Sequence, residues 1–95
     1  MLEKTVKAAV KKRLKEIGAY QHWPVMMGLG EVCLDCHGCY KGKYFSVETK
    51  APGKKLTTQQ QITAARIKAA GGLVFIVDST EAANELFKGD NFKSD

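Results

Sequence analysis

The sequence predicts a small α/β domain with a mixed sheet, and three observations lead to this class. Apolar residues recur at helical spacing over residues 2–17, and β-rich runs occupy residues 44–50 and 73–77. Between those two runs, residues 57–70 have the polar start and the glycine end that are typical of a helix. A strand, a helix and a strand in this order predict a βαβ crossover with parallel strands.

Length and composition are those of one soluble domain covering residues 1–95. Apolar residues make up 44% of the sequence and charged residues 26%, which is an ordinary globular balance. A chain this short buries only a modest core, so dimerisation would stabilise it. No apolar run approaches the roughly 20 residues of a membrane span. No apolar signal segment follows the basic N-terminus, which predicts a cytoplasmic protein without a membrane partner.

The net charge of +5 is unevenly distributed along the chain. Residues 1–77 contain 13 Lys and Arg against 5 Asp and Glu, whereas residues 78–95 contain 2 against 5. A basic body with an acidic C-terminal segment indicates a polyanionic partner, and nucleic acid is the first candidate. A solvated charged surface explains the charge alone equally well.

The first helix is predicted over residues 2–17, with an apolar stripe that includes Val6 and Val10 and with Gly18 as the C-terminal cap. Glu3 precedes Val6 by three residues and Val10 by seven, so it should lie on or near this stripe. A glutamate that is simply favoured by the helix dipole is the alternative to a functional role.

Three strand segments follow the first helix. Residues 19–27 predict an edge strand, residues 31–35 alternate as a second strand, and residues 44–50 return antiparallel to it. Residues 37–42 are predicted to be the hairpin connection. The residues assigned to breaks or turns in this part of the chain are Pro24, Gly38 and Gly42.

The second half of the chain predicts a helix, a strand and a last short helix. Residues 73–77 should form a central strand that is covered on both faces, and residues 89–95 a frayed tail. Ser79 and its neighbours can cap the last helix. The helix at residues 57–70 is predicted to bury Ile62, Ala65 and Ala69, with Ile67 flanking them, and the last helix to bury Ala82, Leu86 and Phe87.

The residue types that suggest chemistry lie at the end of the third strand. Glu48 and Lys50 are two residues apart and so point to one face, while Phe45 and Val47 point to the other, towards the core. A carboxylate beside an ammonium at the end of a strand is half of a metal site, and Asp35 can supply the other half. The pattern alone does not fix how close the hairpin brings Asp35 to Glu48.

Three cysteines lie within seven positions and allow a metal or haem interpretation. Cys33, Cys36 and His37 match the spacing of covalent haem attachment, which we reject because that chemistry needs an exported context. A structural zinc held by these residues and Cys39 is a second alternative, although no second pair of Cys or His ligands follows. Three reduced thiols in and beside a hairpin are the default.

Several ordered motifs together resemble one known family. They are Glu3 to Gly18, Gly30-x4-Asp35, Val47-Glu-Thr-Lys50-Ala-Pro-Gly, Leu56-Thr-x-x-Gln60 and Ala70-Gly-Gly-Leu-Val. This set resembles the stand-alone VRR-NUC domains of the PD-(D/E)xK nuclease superfamily, many of which are phage-encoded, over about residues 2–80. The family's usual proline before the aspartate is Leu34 here, and the Cys-rich hairpin is atypical.

The resemblance implies a restriction-endonuclease-like αβββαβ core with a further helix, and hydrolysis of DNA with Mg²⁺ or Mn²⁺. Asp35, Glu48 and the Thr49 carbonyl would hold the metal, with Glu3 joining through the metal's water shell. Lys50 would orient or activate the attacking water. Gln60 would position the lysine or the nucleophile. These assignments are what the resemblance implies, position by position.

The resemblance also implies a homodimer that acts like a Holliday-junction resolvase on four-way DNA junctions. A nickase, a flap or end-processing nuclease, and a catalytically silent DNA-binding module remain alternatives. Four lysines flank the site in the sequence and are candidates for DNA phosphate contacts, or are simply solvated lysines: Lys41, Lys43, Lys54 and Lys55.

Overall fold

A single mixed sheet organises the computed structural model, which describes residues 2–25 and 33–89. The four strands have the spatial order β1-β2-β3-β4; β1 pairs antiparallel with β2, β2 pairs antiparallel with β3, and β3 pairs parallel with β4. The elements in chain order are α1 (Glu3–Glu16), β1 (Tyr20–His22), β2 (Cys36–Tyr40), β3 (Lys43–Thr49), α2 (Thr58–Ala69), β4 (Leu73–Val77) and α3 (Thr80–Asn84). The predicted αβββαβ order with a short last helix is confirmed.

The two faces of the sheet carry separate cores. On the first, the α1 face, α1 and the residues around α3 pack on Phe45 and Val47 of β3. On the second, the α2 face, Leu34, Ala64 and Val74 form a smaller cluster. Side chains alternate along β3, so one strand contributes to both layers.

The first helix agrees with its sequence pattern. Val6, Val10 and Leu14 are fully buried, and Gly18 has the positive φ of 77° that ends a helix in the left-handed region. Glu3, however, is exposed. It keeps the predicted spacing to Val6 and Val10 but is not itself buried, because burial begins only at Val6, one turn further into the helix.

The hairpin between β2 and β3 is much tighter than predicted. Its turn consists only of Lys41 and Gly42, with φ of 48° and 81°, and positive φ at both central positions is the type I′ geometry that fits twisted strands. The predicted connection over residues 37–42 is therefore wrong for residues 37–40, which belong to β2.

The second strand is displaced along the chain from its predicted position. Residues 33–35 lie outside any strand, and residues 31 and 32 lie outside the described residues, as do residues 26–30 and the predicted tail from residue 90 onwards. Gly38 is a strand residue paired with Gln21 and Phe45, and a Cβ added to it would lie 1.9 Å from the Tyr20 carbonyl oxygen. The glycine therefore allows a close approach between β1 and β2 rather than making a turn.

The second helix buries a different face from the one predicted. Ala64 is buried and Ile67 packs beside it, whereas Ile62 is 49% exposed and Ala65 and Ala69 are also exposed. The prediction followed the largest apolar residue. The small Ala64 instead lets the helix approach Leu34 and Val74 closely.

The last strand and helix close the α1 face. The predicted cover on both faces of β4 is confirmed by its buried residues, but among the described strands β4 is at one edge of the sheet rather than central. The hydroxyl of Ser79 accepts a hydrogen bond from the Ala82 N–H at 3.0 Å and caps α3 as predicted. Beyond α3, the Phe87 ring lies 5.1 Å from the rings of both Phe45 and Phe75.

Candidate active site

Glu48 and Lys50 lie side by side at the C-terminal end of β3, on the α2 face. The Lys50 ammonium is 3.6 Å from Glu48 Oε2, and the two side chains are only 13% and 4% exposed, respectively. The Lys50 N–H donates to the Val77 carbonyl at 2.9 Å. The pairing between β3 and β4 therefore extends through Lys50 and fixes the backbone that carries both groups.

Asp35, the residue immediately before β2, is joined to this pair. Cys36 pairs with Val47, so the residue before Cys36 comes opposite Glu48. The Asp35 N–H donates to Glu48 Oε1 at 3.0 Å. The geometry that the sequence left open is thus settled by the two-residue turn, which brings the start of β2 to the end of β3.

The Asp35 carboxylate is held by Thr49. Its Oδ2 accepts from the Thr49 N–H at 3.0 Å and from the Thr49 hydroxyl at 2.6 Å. Thr49 is fully buried, and its hydroxyl shows no signal in the sequence that distinguishes it from any strand threonine. Both of these bonds end on Oδ2, so among the described residues Oδ1 is left for solvent or a ligand.

Gln60 reaches the site from the first turn of α2. Its amide nitrogen donates to Glu48 Oε2 at 2.9 Å, so its direct partner is Glu48 rather than Lys50. The amide oxygen accepts from the Thr57 N–H at 2.9 Å, while the Thr57 hydroxyl accepts from the Gln60 N–H at 3.2 Å. This capping box orients the glutamine, and the Thr-x-x-Gln pattern is its sequence signal.

The electrostatics of Glu48 are unusual for a glutamate. The pKa of its carboxyl group is raised from 4.5 to about 7, chiefly by burial and also by the charge of Asp35, while the hydrogen bond from the Asp35 N–H and the charge of Lys50 act in the opposite direction. The environment thus disfavours an unpaired negative charge at this position. Binding of a proton or of an additional cation at Glu48 would neutralise this charge.

The donor set fits a hard divalent cation. Magnesium takes oxygen ligands and keeps several waters, so that one or two carboxylates together with a substrate phosphate suffice. Asp35 and Glu48 supply two carboxylates whose negative charges repel each other. Residues 2–25 and 33–89 contain no group of three or more Asp, Glu, His and Cys side chains that could hold a metal. A backbone carbonyl and water molecules would therefore have to complete the coordination shell of a cation bound by these two carboxylates.

The zinc alternative does not form within the described part of the chain. Cys36 is buried in the core on the α1 face, and burial raises the pKa of its thiol to about 12. Cys39 is exposed and, three residues further along the strand, points to the opposite face. The cysteines are free thiols and do not converge on one point.

The other predicted site residues lie at different distances from this cluster. Glu3 is on α1, which packs on the opposite face of the sheet, and no hydrogen bond or ion pair in the described ranges joins it to Asp35 or Glu48. Lys54 and Lys55 are exposed in the segment that leads from β3 to α2.

Two of the predicted lysines lie at the far end of the sheet. Lys41 is in the hairpin turn, with its ammonium 5.4 Å from the centre of the Tyr40 ring. The Lys43 ammonium donates to the Gly71 carbonyl at 3.3 Å. Lys43 precedes Glu48 by five positions, which is roughly 17 Å along a strand.

Comparison with solved structures identifies the architecture. Eight chains of solved structures match this one. One of them, titled "VRR_NUC domain", has a TM-score of 0.74 and 23% sequence identity, and the match covers 88% of this chain and 91% of that chain. The chain has the VRR_NUC fold. No family model and no curated protein matches the sequence.

The VRR_NUC fold is the one that the ordered sequence motifs resembled, so the predicted fold is confirmed. The fold explains why the site forms at the end of β3, where the antiparallel hairpin and the parallel crossover meet. Across the described residues, no helix is both long and apolar enough to cross a membrane.

Proposed function

We propose that this protein is a divalent-metal-dependent nuclease that hydrolyses phosphodiester bonds in DNA. One observation carries the proposal: Asp35, Glu48, Lys50 and Gln60, which are far apart in sequence, are linked by hydrogen bonds and an ion pair at one end of the sheet. A buried carboxylate with a raised pKa beside a lysine is a costly arrangement for a fold alone, and such arrangements concentrate at functional sites.

In this proposal Asp35 and Glu48 hold Mg²⁺ or Mn²⁺, with the Thr49 carbonyl as a third ligand and Glu3 acting through water. When bound, the metal lowers the pKa of a water molecule and neutralises charge on the phosphate. Thr49 fixes Asp35 Oδ2 through two hydrogen bonds, so the second oxygen would be the one that binds the cation.

Lys50 brings positive charge to the place where negative charge develops on the phosphate. Its ammonium is mostly removed from solvent and lies 3.6 Å from Glu48 Oε2, and a fixed charge acts more strongly in such a site than in water. From there it orients or activates the attacking water. Gln60 holds the same glutamate oxygen and so limits the positions that Glu48 can adopt.

The lysines divide the proposed DNA contacts into two groups. Lys54 and Lys55 are exposed close to the end of β3 and contact phosphates beside the cleaved bond. Lys41 and Lys43, at the other end of β3, contact the backbone further along the DNA. The net charge of +5 supports an overall attraction that is independent of DNA sequence.

The finer assignment is a structure-selective enzyme that resolves four-way junctions as a homodimer. Two symmetric cuts on two strands need two active sites related by a two-fold axis. A cytoplasmic setting, in a bacterial host if the protein is phage-encoded, completes the proposal. A single cut by a monomer would instead identify a nickase or a flap-processing enzyme.

The decisive experiment incubates purified protein with end-labelled four-way junction, flap and linear duplex DNA, each with Mg²⁺, Mn²⁺ or a chelator. We expect metal-dependent cleavage of the branched DNA, loss of cleavage in Glu48→Gln and Lys50→Ala, and full activity in Glu85→Gln. Glu85 is a matched control because it is an exposed glutamate paired with Lys88, outside the site.

Cleavage that is equal in all variants would refute the site, and binding without cleavage in any metal would identify a silent DNA-binding module. Light scattering at the assay concentration distinguishes a homodimer from a monomer.

A further inference from the structure

A cavity that the proposed chemistry does not use lies next to the site. Its volume is about 500 Å³, and it opens between the C-terminal half of α2 and the sheet face that carries Glu48. Six of its lining residues matter here: His37, Tyr44, Ser46, Arg66, Ile67 and Gly72.

The cavity lies beside the carboxylate cluster, because two of its lining residues, Leu34 and Ser46, are close neighbours of Asp35 and Glu48 on the chain. Ser46 and Tyr44 precede Glu48 by two and four residues on β3, so all three point to the α2 face. Two residues of a strand advance about 6.6 Å, which is comparable with the length of one nucleotide in an extended chain. Leu34, another lining residue, immediately precedes Asp35. A DNA strand whose phosphate lies at Glu48 therefore has its next one or two nucleotides over this cavity.

The walls of the cavity suit a nucleobase. Tyr44 is 46% exposed although it is a large aromatic residue, and its ring lies 6.2 Å from the His37 ring with an angle of 31° between the planes. Ile67 provides an apolar surface on the opposite, helical side. Aromatic faces of this kind stack on bases without regard to sequence.

The charge around the cavity suits the nucleotide's phosphate. Arg66 contributes a guanidinium to the lining, which places a positive charge beside the cavity. Lys43 is held at the rim by its bond to the Gly71 carbonyl. No carboxylate belongs to the described lining.

The tyrosine position is closely defined by its neighbours. A Cβ added to Gly72 would lie 2.9 Å from Tyr44 Cδ1 and 2.8 Å from Ile67 Cγ2. Only a glycine at this position lets the ring and the helix approach this closely. The cavity is therefore formed by the fold rather than by side chains that are free to close it.

We propose that this cavity receives one unpaired nucleotide of the cleaved strand, one or two positions from the hydrolysed bond. The inference rests on the proposed nuclease function and gives it a source of structure selectivity. A base in a duplex is stacked and paired and cannot enter a lateral cavity without being extruded, which requires a few kcal/mol and least where pairing is already lost. Branch points, mismatches and single-stranded ends supply such a base.

The test uses DNA that carries the fluorescent base 2-aminopurine at successive positions next to a branch point. Binding is measured with Ca²⁺ in place of Mg²⁺, so that the readout is independent of cleavage. We expect quenching at one or two adjacent positions in the wild type. In Tyr44→Ala the quenching should disappear and the affinity for the branched DNA should fall about 10-fold, as for the loss of one stacked base, with less than a 2-fold change for fully paired duplex.

Tyr20→Ala is the matched control, because Tyr20 is an exposed tyrosine on the same sheet face but does not line the cavity. Tyr44→Phe keeps the aromatic ring and should therefore keep the stacking and the quenching of the wild type. Similar melting temperatures for the three variants would show that the fold is retained. Equal quenching and equal affinity in wild type and Tyr44→Ala would overturn the inference.

The outcomes separate the two proposals. Metal-dependent cleavage together with no effect of Tyr44→Ala on branched or paired DNA leaves the nuclease and removes the nucleotide pocket. Tyrosine-dependent quenching without cleavage in any metal supports the pocket and removes the nuclease.

Discussion

The two faces of the sheet are built from alternate residues of one strand and yet have opposite character. On the α1 face, Phe45 and Val47 are fully buried among aliphatic and aromatic side chains. On the α2 face, the intervening Ser46 and Glu48 are almost as buried but are polar, and the helix above them leaves a cavity. One face stabilises the fold, and the other holds groups whose burial lowers stability. The separation allows changes on either side to be tested independently.

Glu48→Gln should have the largest effect on activity. The amide keeps the shape of the side chain but removes the charge that we propose to bind the cation, so kcat should fall on the order of 10³-fold. Stability in the absence of metal should stay equal or rise, because a buried charge is removed. Cleavage assays and urea denaturation measure the two effects. A large loss of stability would mean that both faces serve the fold.

Phe45→Ala should have the largest effect on stability. The ring is fully buried and contacts Phe87 at 5.1 Å between ring centres, and the loss of a buried phenylalanine costs about 3–5 kcal/mol. The fraction that remains folded should cleave DNA at the wild-type rate. Denaturant unfolding, with activity corrected for the folded fraction, checks this. A specific loss of kcat would show that the two faces are coupled.

Thr49→Val tests the residue that holds the Asp35 carboxylate. Valine keeps the volume and the backbone N–H bond but removes the 2.6 Å hydroxyl bond to Asp35 Oδ2. Residues that orient a metal ligand typically contribute 10- to 100-fold to metal affinity, so we expect Mn²⁺ binding to weaken by about 10-fold. Isothermal titration calorimetry measures it, with Thr5→Val on the exposed surface of α1 as the control. Unchanged affinity would exclude this role.

The pH dependence of stability should differ between wild type and Glu48→Gln. The pKa of Glu48 is raised from 4.5 to about 7 in the folded state, so the folded protein binds the proton more tightly than the unfolded chain does. This contribution to stability is complete below pH 4.5 and is lost as the pH rises through about 7. This fall in stability with rising pH should be absent in Glu48→Gln and should be smaller in the presence of saturating Mg²⁺. Thermal unfolding between pH 4 and 8 tests it.

The smallest effect is expected from the lysines near the site. Replacing both Lys54 and Lys55 by alanine should weaken DNA binding a few-fold. The slope of the logarithm of the binding constant against the logarithm of the salt concentration should fall by the amount expected for about two phosphate contacts. The same double change at Lys12 and Lys15, which are exposed on α1 on the other side of the sheet, should leave the slope unchanged. Fluorescence anisotropy at several salt concentrations compares them.

The sequence pattern predicted the site better than it predicted the elements around it. Glu48 and Lys50 were found by strand alternation, and the order of elements by the positions of apolar runs. The second strand was misplaced because its residues, including Gly38 and two cysteines, have little β-propensity. Pairing with β1 and β3 stabilises this strand, and that contribution is not visible in a local window. The role of the Thr49 hydroxyl is likewise invisible in a local window, because its partner, Asp35, is fourteen positions away in the sequence.

The helix face was misjudged for a different reason. Hydrophobic spacing selected Ile62, but the geometry of α2 follows from Gln60, which binds Glu48, and from Ala64, whose small size allows close packing. Polar contacts that a helix makes with a functional site can outweigh its apolar pattern. The resemblance to a known family located Gln60, whereas periodicity did not indicate its role.

The two-residue turn at Lys41 and Gly42 fixes the number of residues that can separate the two carboxylates. Glu48 follows Asp35 by thirteen positions, and every residue between them belongs to a paired strand or to that turn. Inserting or deleting a single residue here would shift the pairing by one and reverse the direction of each side chain on one strand. Homologous chains with the same chemistry should therefore vary freely in length elsewhere but keep this interval constant.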